Sequence, residues 1–489
     1  MNSLFSRPAE SSALFFLVCF LASNAFFNAV FGFSLPLFLG TLPLSVGVAF
    51  FFPRAGLVAA LLVTLFFERF FTLESFVIAE TTYKLYPLDL ILGACLFSGL
   101  LLFLKHRSEF LRFRSYDAWL LSFLLLVSVL LAFSLSHGAS GAGAVAFSTW
   151  KNYVFYGVLV WLVGGLLRTR ADLVAFTRLF FWGLAAAGIF LVIGLVRGGG
   201  LWTEYTPLST AGTRYLAFPH AFYFALGLLT LLLALPYWLG RVGRGRTRLY
   251  IGGSIFLLLG VLGSLMRHLW LGLGGTLLMA FVVSPRIYGR AIVQYGIRLV
   301  LPGIFLLATA VLGMVLFSSS STSLSLGRGL SVVQERLLSI GNNTDESLVW
   351  RGAVWSSTLE RFRANPWFGI GFGASVPVEI GDYQEFVEVR NMHNSWLALL
   401  MQTGVVGLFL FGGFLFSLMR EAWRLTLTDA FLRQVRFVLF GLLFFQALVF
   451  FSQPYLETNL LGVFFWLTLG LVRALCTLAQ ENDSVSVAP

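Results

Sequence analysis

The chain alternates long apolar runs with short polar breaks. The runs lie near residues 12–33, 35–52, 54–71, 87–104, 116–135, 150–167, 174–196, 215–238, 249–266, 268–284, 298–317, 394–419, 436–452 and 460–478. Each is close to the about 17–25 apolar residues that a helix needs to cross a bilayer. Spanning segments must satisfy their own backbone hydrogen bonds, so the pattern predicts helices rather than open strands. The expected fold is all-α: a polytopic transmembrane helical bundle of about 12–14 spans, with one large loop that contains short helices. The runs 249–266 and 268–284 are separated so briefly that they predict a tight hairpin around Arg267-His268.

The polar pattern divides the chain in three. Residues 1–317 are expected to form a bundle of about eleven spans. Residues 318–393 form a large loop, and residues 394–489 the C-terminal membrane helices. The loop opens with the Ser/Gly-rich "SSSSTSLSLG". A helix is predicted from about Asp345 to Arg363, capped by Asn343 or Thr344 and stopped by Asn365-Pro366. Arg351 and Trp355, four residues apart, share a face of that helix. "GIGFG" (369–373) neither follows a strand nor opens a helix, so it reads as a tight turn rather than a dinucleotide fingerprint. The acidic "EIGDYQEFVE" that follows reads as a solvated face.

Composition changes this picture little. Hydrophobic residues make up 58% of the chain and charged residues 11%, against about 25% charged in a soluble domain. The net charge of +11 would suggest nucleic acid in a soluble protein. Here it reflects loops rich in arginine, and no nucleic-acid partner is expected. "KHRSEFLRFR" (105–114), "RTRADLVAFTR" (168–178), "RVGRGRTR" (241–248), residues 286–298 and "REAWRLTLTDAFLRQVR" (420–436) fall on one side when the spans alternate. By the positive-inside rule that side is the cytoplasm, with both termini on it. The large loop then faces outward. The first apolar run reads as a span rather than a cleaved leader. Cys19, Cys95 and Cys476 lie far apart in apolar runs and suggest neither a disulfide nor a metal site.

The candidate chemistry gathers on the outer side. His393 stands where the large loop meets an apolar helix, and Asn394 follows it. Arg214 ends the loop "RGGGLWTEYTPLSTAGTR", Arg267 sits in its hairpin tip, and Arg351 lies in the large loop. Arginines converging on a histidine can hold a phosphate-bearing ligand while the imidazole acts as a base. His268, beside Arg267, is a weaker second candidate. His220, inside a span after Pro219, reads as a packing residue, and His137 lies near the outer face. No HExxH, DxD-like acidic pair or Cys/His cluster is present on that side, so no metal and no cofactor is expected.

These residues resemble the bacterial O-antigen ligase and O-antigen polymerase family. The resemblance is carried by "RGAVWSSTLERFRANPWFGIGFG" and "MHNSWLALLMQTGVVGLFLF", that is by Arg351, Trp355, Asn365-Pro366, Gly369-Ile370-Gly371, His393-Asn394 and Gly404 to Gly407. "SLMRHLWLGL", with Arg267, and "GTRYLAFPHAFYFALG", with Arg214, look like the family's earlier arginine elements. The resemblance implies a glycosyltransferase that inverts the transferred sugar without a metal, in the bacterial inner membrane with its site facing the periplasm. The implied donor is a glycan on undecaprenyl pyrophosphate, its tail among the membrane lipids. The implied acceptor is lipid A-core, another glycan, or a protein hydroxyl as in protein O-oligosaccharyltransferases. It implies His393 as base, Arg214 and Arg267 on the pyrophosphate, and Arg351 and Asn394 in substrate binding. A lipid-linked glycan transporter or flippase is the rival from another class, and a non-catalytic assembly protein a third. Transport predicts ionisable residues at mid-bilayer, whereas here they gather near span ends.

Overall fold

A computed structural model describes residues 8–486 apart from 73, 79–80, 106–112, 137–142, 198–214, 239–240, 242, 285–286, 288, 290–345 and 381–382. The expected span at 298–317, the Ser/Gly-rich linker, His137 and Arg214 lie outside the described residues. The described chain is a multi-pass all-α membrane protein. Eight of its described helices are long and apolar enough to cross a bilayer, and four shorter apolar helices accompany them.

The order is α1 (Pro8–Phe31), α2 (Leu35–Phe51), α3 (Pro53–Phe67), α4 (Arg69–Thr72), strands β1 (Glu74–Ile78) and β2 (Thr81–Leu85), α5 (Pro87–Lys105), α6 (Ser115–Ser136), α7 (Gly143–Gly157), α8 (Leu159–Leu166), α9 (Arg170–Arg197), α10 (Phe218–Leu233), α11 (Leu235–Trp238), α12 (Arg244–Gly263), α13 (Arg267–Val283), α14 (Glu346–Phe362), β3 (Ser375–Ile380), β4 (Tyr383–Glu388), α15 (Ser395–Arg424), α16 (Ala430–Phe450) and α17 (Asn459–Ser486). Proline opens α2, α3 and α10 at the first or second position, where its missing N–H would have no helical partner anyway. The predicted span 150–167 is divided between α7 and α8.

The chain forms two compact units. The first holds residues up to Gly183, Glu346–Leu427 and Phe450–Pro489; the second holds Leu184–Asp345 and Thr428–Val449. In the first unit, close packing uses small residues, as is usual between membrane helices. A Cβ on Gly56 would lie 2.8 Å from that of Ala49, and one on Gly164 would lie 2.6 Å from Cδ of Arg473. Arg473 pairs with the fully buried Asp117. Asp117 also accepts from Trp161 Nε1 at 2.8 Å and from the Arg114 backbone N–H at 2.8 Å. Arg114 in turn pairs with Glu421. This network ties α6, α15 and α17 together at the end of α15 opposite His393.

Residues 346–394 of the same unit build a small module. Valines at alternate positions of an antiparallel hairpin, Val376 and Val378 on β3 with Val387 on β4, point inward and pack against Val354 of α14, Met392, and Ala398 and Met401 of α15. Glu379, Gln384 and Phe386 take the outward positions. The acidic segment is thus solvated on one face only; period-2 alternation makes it a hairpin.

In the second unit, α12 carries the basic residues Arg246 and Arg248 near one end and reaches Gly263 at the other. Twenty helical residues span about 30 Å, so the two ends of α12, one of them basic, lie about a bilayer core apart. The backbone N–H of Tyr215, next to Arg214, donates to the Gly263 carbonyl at 3.0 Å. His220 is fully buried and its ring lies 4.8 Å from that of Phe190, consistent with a packing role.

Candidate functional site

The site begins with a broken helix. Within α15, Gly404 has φ +68° and ψ −172°, which interrupts the helical ladder. The freed groups find partners in the Asn365–Ile370 turn. Ile370 N–H donates to Met401 O at 2.7 Å, Val405 N–H to Pro366 O at 2.9 Å, and Val406 N–H to Trp367 O at 3.1 Å. The turn closes on itself through Gly369 N–H to Asn365 O, 2.9 Å. Phe372 N–H then donates to Ser134 Oγ of α6 at 3.0 Å. A kink in a membrane helix is tolerated where neighbouring groups satisfy the liberated backbone. Here that neighbour is the turn that ends α14, so the loop module is fastened to the helix that follows His393.

His393 sits just before α15. Asn394 is its N-cap, with Oδ1 accepting from Leu397 N–H at 3.0 Å, which commits that oxygen to the helix end. His393 itself has φ +55°, a left-handed conformation uncommon for a residue with a side chain. Trp355 Nε1 donates to Met392 O at 3.0 Å and fixes the preceding residue. The Trp350 ring stands 87° to the imidazole, with centroids 5.3 Å apart. Trp350 is held by Glu385 of β4, Nε1 to Oε1, 2.5 Å.

The tautomer follows from one contact. His393 Nδ1 lies 3.0 Å from Gln453 Oε1. An amide oxygen only accepts, so Nδ1 carries the hydrogen and Nε2 keeps its lone pair. Partial burial lowers the pKa below the ordinary 6.5, the nearby Arg351 charge lowers it further, and the Gln453 bond opposes both. The ring is therefore neutral at neutral pH. Arg351 is thus close enough for its charge to act on His393.

Beyond Gln453 the chain turns through Tyr455–Glu457 into α17. Ser395 Oγ lies 3.0 Å from Gln453 O and 3.1 Å from Glu457 Oε2. Tyr153 of α7 donates to Glu457 Oε1 at 2.6 Å. Trp350, Gln453, Ser395 and Glu457 were not picked out from the sequence. Polar "SQPYLET" (452–458), between two apolar runs, was the available signal for Gln453 and Glu457.

Arg267 lies in the second unit, at the first residue of α13. Its tip turn is stapled: Ser264 Oγ donates to Val261 O at 2.7 Å, Met266 N–H to Ser264 Oγ at 3.3 Å, and Trp270 Nε1 to Val261 O at 3.1 Å. Leu265 in this turn has φ +57°. Only three non-glycine residues among those described have positive φ: Glu68, Leu265 and His393. Two of the three thus sit in the Arg267 turn and at His393, and such strain concentrates at functional sites. An arginine at a helix N-terminus adds its charge to the positive end of the helix dipole, a combination suited to an anion.

Compared with protein-family models, residues 252–412 match the O-antigen ligase family. The match supports the resemblance read from the motifs of this stretch. It includes Arg267, Arg351, His393 and Asn394 and ends before Gln453 and Glu457. No curated protein sequence matches the chain.

Proposed function

We propose that this O-antigen ligase-like glycosyltransferase moves a glycan from an undecaprenyl-pyrophosphate carrier to an acceptor hydroxyl at the periplasmic face of the bacterial inner membrane. The observation that carries the reading is the setting of His393: an imidazole at the start of a membrane helix, its Nδ1 held against Gln453 Oε1 at 3.0 Å so that Nε2 keeps its lone pair. A general base needs that lone pair, and a base for a lipid-linked sugar belongs where the loop meets the membrane.

In the reaction, Nε2 of His393 takes the proton of the acceptor hydroxyl. The oxygen attacks the anomeric carbon from the face opposite the pyrophosphate and inverts it. The C–O bond to the carrier breaks, and the electron pair leaves with the pyrophosphate. Arg267 and Arg214 neutralise that leaving group through charge-assisted hydrogen bonds. Arg351 serves a second purpose besides binding: its charge disfavours the imidazolium before the acceptor arrives. The polyprenyl tail stays among the membrane lipids. Charge neutralisation falls to arginine side chains, so the scheme uses no metal and no cofactor.

The acceptor class is decided by deleting the gene and separating the envelope glycans on a gel. Loss of lipid A-core-attached polymer with carrier-linked chains retained marks a ligase. Collapse of long chains to single repeats marks a polymerase. Changed glycoproteins with unchanged lipopolysaccharide mark a protein glycosyltransferase. A deletion that alters none of the three overturns the proposal.

A further inference from the structure

Glu457 is 6% exposed, lies outside the stretch matched by the family model, and has no part in the scheme above. Its hydrogen bonds require a count of protons. Leu456 N–H lies 3.1 Å from Ser395 Oγ and can only donate. The Gln453 carbonyl, 3.0 Å away, can only accept. Ser395 has one hydrogen, and all three contacts are hydrogen bonds at once only when it goes to Gln453. Nothing is left on that hydroxyl for Glu457 Oε2 at 3.1 Å. The contact is a hydrogen bond only when Oε2 itself carries the proton; an ionised Oε2 would face a lone pair. Oε1 already accepts from Tyr153, and Asn152 Nδ2 donates to the Glu457 carbonyl and fixes its backbone.

The charges around Glu457 do not reverse this. Lys151, on the same helix as Tyr153, is held by Asp89 at 2.5 Å. Arg390 is paired with Glu388 at 2.7 Å and reaches Glu457 only as a weaker opposing charge. His393, just before α15, is neutral at neutral pH. Burial accordingly raises the Glu457 carboxyl to about 7, with the hydrogen bond from Tyr153 and the contact with Ser395 opposing it.

We propose that Glu457 is a positioning residue that works as the protonated acid: its O–H anchors Ser395, Ser395 anchors the Gln453 backbone, and the Gln453 side chain holds Nδ1–H of His393. The proposal deepens the transferase reading and rests on it for its link to turnover. Glutamine is the test substitution, because its amide can donate to Ser395 and accept from Tyr153 as the acid does.

The experiment uses the full chain in lipid nanodiscs. Infrared difference spectra of wild type against Glu457→Gln should show a protonated carboxyl band that fades as pH rises through about 7. With ¹⁵N-labelled histidine, the His393 signals, assigned with His393→Ala, should report the Nδ1–H tautomer in wild type and in Glu457→Gln, and a mixture in Glu457→Ala. Turnover with a lipid-linked donor should stay within about threefold in Glu457→Gln and fall about tenfold in Glu457→Ala, the scale of one or two lost hydrogen bonds. Wild type should lose turnover as pH rises through about 7, and Glu457→Gln should not. A missing carboxyl band, an unchanged His393 tautomer in Glu457→Ala, or a glutamine variant as impaired as alanine overturns the proposal. Absence of transfer by wild type itself strikes the transferase reading, while the infrared and histidine signals still decide the role of Glu457.

Discussion

Gly369 and Gly404 pack backbone against backbone. A Cβ on Gly369 would lie 2.2 Å from Met401 O, and one on Gly404 would lie 2.1 Å from Trp367 O. Both have positive φ, +72° and +68°. Either glycine replaced by alanine meets two penalties, about 1–2 kcal/mol for the left-handed backbone and about 1–3 kcal/mol for the forced contact. Gly404→Ala and Gly369→Ala should therefore lower the yield of monodisperse protein in detergent, measured by size-exclusion chromatography. Gly412 has open space around its Cβ position, so Gly412→Ala is the control that should not. Normal yield in both test variants would mean that the docked turn does not hold the helix break.

That glycine pair shows how far the sequence could be read. Gly369-Ile370-Gly371 and the Gly404–Gly407 stretch were each legible as motifs, and the first as a turn. That one fills the break in the helix made by the other was not, because backbone pairing across 30 or more residues leaves no local pattern. The membrane helices were legible because an apolar run of spanning length has few alternatives. The β3–β4 hairpin was hidden by its outward residues, which gave it the look of an acidic loop. His393 and Arg351 stood out by residue type and motif. Gln453 and Glu457 did not, since their meaning depends on contacts with residues about 60 positions earlier.

Trp350 walls the His393 ring and is itself held by Glu385. Trp350→Phe keeps an aromatic wall and loses one hydrogen bond, so turnover should fall by about fivefold or less. Trp350→Ala removes the wall and should fall by at least a further factor of about five, in kcat more than in KM, if the loss acts on the orientation of the proposed base. Equal effects of the two variants, confined to KM, would place Trp350 in acceptor binding instead.

Arg267→Lys keeps the charge at the start of α13 and loses the planar fork that can grip two phosphate oxygens. A hydrogen bond to a charged group contributes about 1.5–3 kcal/mol, so turnover should drop about ten- to a hundredfold with purified lipid-linked donor. Wild-type turnover in the lysine variant would make Arg267 a headgroup anchor rather than a ligand of the leaving pyrophosphate.

His393 is tested by its charge state as well as by its removal. As general base it should contribute about 10²–10⁴-fold, so His393→Ala should nearly abolish transfer while donor binding persists. Wild-type turnover should fall as pH drops, because the imidazolium cannot take a proton. Burial and Arg351 lower the pKa, so the acid limb should lie below the ordinary histidine value of 6.5. Two substitutions should move that limb in a known direction. Gln453→Glu sets a carboxylate against Nδ1–H, which favours the charged ring and shifts the limb to higher pH. Arg351→Gln removes a repelling charge and shifts it the same way. If His393 only anchors the loop at the membrane surface, the acid side of the profile will be flat, both variants will leave it flat, and His393→Gln will keep most of the activity. Turnover against pH for these four proteins and wild type, measured beside donor binding, separates the two accounts.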